Sequence, residues 1–574
     1  MSQPLYEALA TAFVDAGIDT AFGLMGEDTA KLVTTYTEQP GTKFVHARHE
    51  SMAVAMADGY ARLSGGLGLA VLSRGPGLVN GLTAAIAARK HRTGVVVVTG
   101  DSPATEALAG VGARYPKHVA QSDIVRACGL VAERVEAPED AGRAVRAALD
   151  AARDGQVAVL NVPTDLFDAD VELGGASAAG GAGGAPAARV ASAAGGAAAT
   201  GEAGVAGSGD EADLQYVLDL LRDAERPLLL AGRGAHEAGA APAIQALADR
   251  IGALTGTSLL AKGLFGDAPF DVGILGGFAG EAARRCVRDA DVVVAFGASL
   301  NGFTTGAGKL LAGARVVHVD RDPDQIGATT PVERGVVADA RTFAEALAER
   351  ATPAGGGRTD DVREALAAYR EEADFDDASL PGAADPRTLA RALDAALPRD
   401  RTLVVDAGAF SGYVSRYVGV PDPSHFAFCL DFSAVGLAHG TALGAAVARP
   451  DSTTVLFIGD GGLFLTLGEL ETAVREEIPL VIVVLDDGAY GAERHYLDIA
   501  QLPNRESLFA TARFADVARA LGMDAVLVES EDDVAQVAPA LAARRGPLLV
   551  DCKINGELRP QWLEELYTAS GYGR

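Results

Sequence analysis

Two aspartates, 27 residues apart, are the side chains of this sequence best placed to do chemistry. Asp460 ends the run Val455-Leu456-Phe457-Ile458 and sits among glycines in Gly459-Asp460-Gly461-Gly462. Asp487 follows a second apolar run, Pro479–Leu485, in the string Asp486-Asp487-Gly488-Ala489-Tyr490-Gly491. A spacing of 27 residues is one strand–helix–strand unit, which predicts that both side chains reach the same sheet edge. The carboxyl ends of parallel strands are where open α/β sheets bind ligands. Two carboxylate oxygens there, with a backbone carbonyl and phosphate oxygens, make an all-oxygen site suited to Mg²⁺. Glycine lets the backbone approach a phosphate, and free N–H groups at the next helix start can donate to it. Gly-Asp-Gly alone is an ordinary strand-to-helix turn, and Asp-Asp-Gly alone an ordinary loop; the pair at this spacing carries the reading.

A third carboxylate lies far upstream. Glu50 follows His46-Ala47-Arg48-His49, which reads as a strand end entering a helix. By itself such a glutamate is a solvated, dipole-favoured residue of a first helical turn. It is followed, after the next strand, by Arg74-Gly75-Pro76-Gly77-Leu78-Val79-Asn80. The basic run Arg89-Lys90-His91-Arg92 reads as a solvated helix end.

The elements that must hold these residues are short β-branched runs alternating with Ala-rich helical stretches. Strands are predicted at Gly68–Ser73, Gly94–Gly100, Val157–Pro163, Pro227–Gly232, Asp291–Gly297, Arg315–Asp320, Thr402–Gly408, Thr453–Gly459, Pro479–Leu485 and Pro547–Cys552. The runs are continuous rather than alternating, the pattern of strands covered on both faces by helices. The fold class is α/β. Gly174–Asp210 is almost pure Gly, Ala and Ser, too poor in apolar surface to offset its backbone entropy, and is predicted to be a flexible linker. A softer break lies around Ala351–Asp361. The expected division is a first domain at 1–173, a linker at 174–210, a central domain at 211–350, a second linker at 351–385 and a last domain at 386–574.

Composition sets outer limits. The chain has 574 residues, 49% of them hydrophobic, and a net charge of −28. That charge repels phosphate backbones and anionic lipid heads, so no nucleic-acid or membrane partner is expected. No apolar run approaches the ~20 residues of a membrane helix. Cys128, Cys286, Cys429 and Cys552 are scattered without C-x-x-C spacing, which fits a reduced, cytoplasmic setting rather than a disulfide framework. The amino-terminal stretch reads as an acidic amphipathic helix, not a signal or transit peptide.

Taken in order, Arg48-His49-Glu50, Gly59-Tyr60-Ala61-Arg62, Gly75-Pro76-Gly77 with Asn80, a linker, and Gly459-Asp460-Gly461 with its partner downstream resemble the thiamine diphosphate-dependent enzymes. The group most similar is the acetolactate synthase, pyruvate decarboxylase and benzoylformate decarboxylase superfamily. The resemblance implies three doubly wound parallel-sheet domains: pyrimidine-binding, central, and diphosphate-binding. It implies a homodimer or homotetramer with each cofactor between the first domain of one chain and the last domain of another. Glu50 then matches the activating glutamate, whose hydrogen bond to the pyrimidine favours the imino form that takes the weakly acidic C2 proton.

Asp460 matches the Mg²⁺-binding aspartate, Asp487 stands where asparagine is usual, and Ala489 would offer its carbonyl. The common Asn-Asn pair is Asp486-Asp487 here. Gly459, Gly461 and Gly462 belong to the same cofactor-binding motif, as do Pro76 and Asn80 of the upstream turn. Val435 lies where the family places the residue that bends the cofactor, and Ser433 would offer a carbonyl to the 4′-amino group. The turn holding Ala407, Gly408, Ala409, Phe410 and Ser411 would give N–H groups to the diphosphate.

Glu27 and Glu493 match catalytic carboxylates of pyruvate decarboxylases. The His-His pair of those enzymes is missing, and His118 is the candidate substitute. The hydrophobic run of acetolactate synthases is replaced by Ala492-Glu493-Arg494-His495-Tyr496, which makes the pocket wall more polar. Arg74 precedes the Gly-Pro-Gly turn, either facing the cleft, where it would hold a substrate carboxylate, or pointing to solvent or pairing with an acid. Ser299-Leu300-Asn301-Gly302 replaces the flavin-binding stretch of acetolactate synthases, so FAD is not favoured. The expected activity is acetolactate synthase-like: cleavage of a 2-oxo acid with loss of carbon dioxide, ligation of the resulting acyl carbanion to a second carbonyl, or both. The alternatives are a decarboxylase without ligation, a 2-hydroxyacyl-CoA lyase, and a catalytically silent cofactor-binding homologue.

Overall fold

A computed structural model describes residues 2–104, 117–173, 209–371 and 375–569. All but the last two residues of the predicted Gly/Ala linker fall outside them. The described chain is built on three six-stranded sheets in which every pairing is parallel.

The first sheet holds Thr20–Gly23, Lys43–His46, Gly68–Leu72, Val95–Asp101, Val131–Arg134 and Val157–Pro163. Numbered in chain order, these strands lie side by side as 2-1-3-4-6-5. The last sheet holds Thr402–Val405, Phe426–Phe428, Thr454–Gly459, Val481–Asp486, Asp524–Val528 and Leu548–Lys553, and repeats the order 2-1-3-4-6-5. The central sheet holds Pro227–Ala231, Leu254–Thr257, Asp271–Ile274, Val292–Phe296, Arg315–Asp320 and Arg334–Val337, in the order 3-2-1-4-5-6.

All ten runs read from the sequence are strands. Their middle residues are buried, as continuous apolar runs between two helical layers must be. The remaining eight are short, and most carry Gly, Thr or a charged residue that breaks the apolar run. Asp271–Ile274 and Arg334–Val337 are also edge strands, which need to bury less.

The first and last domains meet along two helices, Glu50–Ser64 and Leu437–Ala448. Both are rich in Ala and Gly, and the small side chains let the backbones touch. A Cβ on Gly59 would stand 2.1 Å from the Thr441 carbonyl oxygen, and one on Gly444 would stand 1.9 Å from that of Met56. Met52, Val54, Leu437 and Ala442 therefore share one core that crosses the domain boundary. The central domain is tied to the carboxyl-terminal helix Gln561–Ala569 by Arg284, which reaches both carboxylate oxygens of Glu565 at 2.8 and 3.1 Å. Phe278 packs edge-on against Trp562 at the same joint.

Within the span read as the second linker, Asp360–Glu371 is a helix with Leu366 buried against central-domain residues. Further on, the Ala384 N–H donates to the Lys553 carbonyl, which ties that strand end to the last sheet. The run Arg89–Arg92 departs from its expected solvation. Arg89, Lys90 and Arg92 are exposed, but His91 is buried, with Nδ1 2.9 Å from Asp58. It turns inward because the helix ends where three domains meet, and its carbonyl accepts from Arg233 of the central domain.

The helix seam yields a test. Gly59→Ala forces a methyl against backbone and is expected to destabilise by about 2–3 kcal/mol. Gly546→Ala meets nothing within 4 Å and should stay within about 0.5 kcal/mol of the parent protein. Thermal unfolding of the two variants checks the contrast; equal midpoints would contradict the close backbone contact.

Candidate functional site

The third and fourth strands of the last sheet are hydrogen-bonded neighbours, with Gly459 opposite Leu485. This register places Asp460 and Asp487, the residues just beyond, at the same carboxyl edge. Asp460 opens the helix Asp460–Leu465 and is 2% exposed. Its Oδ2 is buried with no hydrogen-bond partner. Asp487 accepts from the Ala489 N–H at 3.2 Å. Burial, and then the charges of Asp487 and Asp486, push the Asp460 carboxyl up to about 9. Asp487 is pushed up to about 6, again chiefly by burial, against the pull of the Ala489 N–H. Two acids at one sheet edge, one buried and one half-buried, disfavour joint ionisation unless a cation stands between them.

The neighbouring Asp486 plays a different part. It is buried, accepts from Lys553 Nζ at 2.6 Å and from the Gly488 N–H at 3.1 Å, and so braces the turn from below. Of the Asp-Asp pair, only Asp487 lines the cavity.

That cavity has a volume of 460 Å³ and brings together Gly459, Asp460, Gly461, Gly462, Asp487, Ala489 and Glu493. Ala407, Gly408, Ala409, Phe410, Ser433 and Val435 line it as well. Ser411 does not; its N–H donates to the Gly408 carbonyl at 3.2 Å, so it is already used. Ser433 adopts a left-handed φ of 55°, an uncommon conformation for a residue with a side chain. The buried Asp406 carboxylate holds this strained turn in place by accepting from the Gly436 N–H at 2.9 Å and the Ala438 N–H at 3.4 Å. Burial pushes its carboxyl up to about 7, with those N–H groups working the other way. Asp406 thus links the 407–411 turn to the Ser433–Val435 loop, a role its sequence position does not display.

The shape of the far end of the cavity comes from residues that sequence reasoning missed. Phe278 and Phe303 of the central domain and Trp562 and Tyr567 of the carboxyl-terminal helix form an aromatic wall. The Tyr567 hydroxyl donates to the Ala492 carbonyl at 3.3 Å. The only visible signal was the amphipathic Gln561-Trp562-Leu563-Glu564-Glu565-Leu566-Tyr567. Among the described lining residues the charged side chains are Asp431, Asp460, Asp487 and Glu493, all acidic.

The first-domain candidates form a separate group and do not line this cavity. Glu50 opens the helix Glu50–Ser64 and accepts from Asn80 Nδ2 at 3.0 Å. Pro76 occupies the first turn of the next helix, after Gly75 at φ 67°. A Cβ on Gly77 would lie 3.5 Å from Glu50 Oε1, so glycine keeps the face beside that carboxylate open. Glu27 pairs with Lys117 Nζ at 2.5 Å, and that hydrogen bond holds its carboxyl below the usual range. His118 Nδ1 lies 2.8 Å from Ser102 Oγ on an exposed turn. Arg74 is buried, and its N–H donates to Asp28 at 2.8 Å.

The cavity residues fit a hydrated divalent cation. Asp460 and Asp487 supply hard carboxylate oxygens, one of them buried and unpartnered, and Ala489 adds a carbonyl. Among the described residues no three His, Cys, Asp or Glu side chains enclose a metal by themselves. A cation here therefore needs oxygens from a second ligand, as a diphosphate would give.

Comparison with known proteins points the same way. Three family models match: the thiamine pyrophosphate enzyme N-terminal TPP binding domain over residues 4–126, the central domain over 214–347, and the C-terminal TPP binding domain over 406–552. The chain is 27% identical to a sulfoacetaldehyde acetyltransferase of Alcaligenes xylosoxydans, over 92% of this chain and 88% of that one. It is 25% identical to the acetolactate synthase isozyme 2 large subunit of Escherichia coli, over 95% of this chain and 94% of that one. The solved structure of a thiamine diphosphate-dependent 4-hydroxybenzoylformate decarboxylase from Rhodococcus jostii superposes with a TM-score of 0.76 at 21% identity, covering 96% of this chain and 99% of that one.

The raised Asp406 carboxyl gives a pH test. Its proton is held more tightly in the folded than in the unfolded chain. The stability it contributes is therefore complete below about pH 4 and is lost as pH rises through about 7. Between those limits the cofactor-free protein should lose stability relative to Asp406→Asn, by an amount on the order of a few kcal/mol. Chemical denaturation across that range checks it; parallel profiles for the two proteins would contradict the assignment.

Proposed function

The chain belongs to the thiamine diphosphate-dependent enzyme superfamily, and from that premise we propose that it cleaves a 2-oxo acid with loss of carbon dioxide and passes the remaining acyl unit to a second carbonyl. The observation that carries this is the single cavity holding the Asp460–Asp487 pair, the 407–410 turn and the Ser433–Val435 loop. Thiamine diphosphate, when bound, supplies the electron sink that decarboxylation needs.

The chain's own residues have assignable parts. Asp460, Asp487 and the Ala489 carbonyl hold Mg²⁺. The backbone of Ala407–Phe410 and Gly461–Gly462 would receive the diphosphate, and Val435 and the Ser433 carbonyl would contact the cofactor between its two ends. Glu50 would hold a proton at its carboxylate for a bound pyrimidine ring, and its bond from Asn80 keeps the carboxylate oriented. That Glu50 is not among the residues lining the Asp460 cavity of its own chain supports a site completed between two subunits. Exposed Val79, Val435, Phe464 and Leu465 support a face that a second copy covers.

The wall chemistry narrows the substrate. With only acidic charged side chains at the cavity's described lining, a cation to meet the carboxylate of a 2-oxo acid has to come from elsewhere, and half-exposed Lys117 beside Glu27 in the first domain is the candidate. Glu493 stands where it can give or take a proton, which supports a second outcome: release of the acyl unit as an aldehyde without ligation. The four cysteines are free, which supports a cytoplasmic setting.

Glu50→Gln is expected to bind thiamine diphosphate and Mg²⁺ nearly as the parent does, while exchange of the cofactor C2 proton for deuterium slows by about 10²–10⁴-fold. Undiminished exchange would overturn the role of Glu50. A panel of 2-oxo acids, assayed for carbon dioxide release with and without an aldehyde acceptor, separates ligation from simple decarboxylation; no release from any of them would overturn the proposed reaction.

A further inference from the structure

We propose that Glu469, in the last domain, is a positioning residue that sets the place of Glu50. The inference rests on the activating role given to Glu50 above. Glu469 begins the helix Glu469–Arg475, nine residues after Asp460, and is 1% exposed. Its Oε1 accepts two backbone N–H groups, from Arg48 at 2.9 Å and from His49 at 3.0 Å. Its Oε2 accepts from the Thr472 hydroxyl at 2.7 Å, which locks the side chain. Arg48 and His49 are the two residues immediately before Glu50, so these bonds fix the turn from which the Glu50 helix departs.

The rest of the grip is built around the same turn. The His46 N–H donates to Glu476 Oε1 at 3.3 Å, and Arg475 donates to the His46 carbonyl at 2.5 Å. Arg48 Nε reaches Glu471 at 2.6 Å. Gly468 is close beneath, since a Cβ there would sit 3.3 Å from that of Arg48. The His49 imidazole caps the helix by accepting from the Ser51 N–H at 3.1 Å. Among these contacts, Glu469 alone is buried and holds two main-chain groups with one oxygen.

A carboxylate suits the task because an ionised acceptor makes the stronger bond to an N–H donor. Burial raises the Glu469 carboxyl above its usual range, and the bonds from Thr472, Arg48 and His49 draw it back down. The geometric consequence is that one segment, residues 460–476, carries both the Asp460 metal ligand and the clasp on the Glu50 turn. A shift of the turn moves Glu50 without touching the residues that hold the diphosphate.

The test compares Glu469→Leu, Glu469→Gln and Glu50→Gln. In the cofactor-free Glu469→Leu protein, backbone amide hydrogen exchange at Arg48 and His49 should quicken about ten-fold or more, because both lose their acceptor. In the loaded protein, exchange of the cofactor C2 proton should slow about ten-fold or more, since a small displacement of a reacting group is costly. Thiamine diphosphate affinity should stay within about three-fold, because the Asp460–Asp487 end is intact. Glu469→Gln retains an oxygen acceptor and should restore both exchange rates. Faster amide exchange with an unchanged C2 rate overturns the proposal, as does unchanged amide exchange. An unchanged C2 rate in Glu50→Gln overturns the role of Glu50 itself, and with it the reason for the clasp. Should Glu469→Leu fail to fold, Thr472→Val frees the Glu469 side chain and is expected to slow C2 exchange in the same sense; no change there overturns the proposal equally.

Discussion

Two carboxylates set side by side at the edge of one sheet, Asp460 buried and Asp487 half-buried, are the constraint on which this molecule turns. Asp460 and Asp487 repel each other, and Asp460 keeps an oxygen that nothing in the chain satisfies. Such a pair is costly to hold in a folded protein unless a ligand returns the cost. The surrounding structure is arranged to keep it. Parallel pairing of the third and fourth strands fixes the separation, and Lys553 offsets the charge of Asp486 from below. Glycines at 459, 461 and 462 leave the backbone bare.

The first and last sheets share the strand order 2-1-3-4-6-5, whereas the central sheet is wound differently. The two like domains meet through like helices, with Met52 against Gly440 and Met56 against Gly444, so both helices start at the same end of the seam. At that end stand Glu50, on one helix, and the Ser433–Gly436 loop that leads into the other. One domain thus offers an acid and the other a strained turn that lines the cavity. The central domain and the carboxyl-terminal helix close the far side of the cavity with aromatic rings.

How much of this could be read from the residues depends on the distance over which each relationship acts. The Asp460–Asp487 neighbourhood was legible because both aspartates end long apolar runs one strand–helix–strand unit apart. The ten strands read from the sequence were legible because each lies in a continuous apolar run, while Leu254–Thr257, broken by Thr and Gly, and the three-residue Phe426–Phe428 lack enough contrast. Asp406 was visible only as part of a turn, because its partners, Gly436 and Ala438, lie on a separate loop. His91 reads as the solvated end of a helix until a second and a third domain are packed around it. The roles of Glu469 and Lys553 carry no local signal, since the groups they hold, the Arg48 and His49 N–H groups and the Asp486 carboxylate, lie on other elements. The aromatic wall joins the central domain to the carboxyl-terminal helix, far apart in sequence.

The central claim, that a carboxylate of one chain serves a cofactor anchored by its neighbour, is tested most directly by mixing two inactive variants. Chains bearing Glu50→Gln and chains bearing Asp460→Ala are unfolded, mixed in equal amounts and refolded, or co-expressed. In a mixed two-fold dimer, one site pairs an intact Glu50 with an intact Asp460 and the other carries both defects, so random pairing should restore about a quarter of the parent activity. If each site were built within a single chain, every site in the mixture would keep one defect. No recovery of activity beyond that of the separate variants, in mixed dimers shown to have formed, would contradict the account.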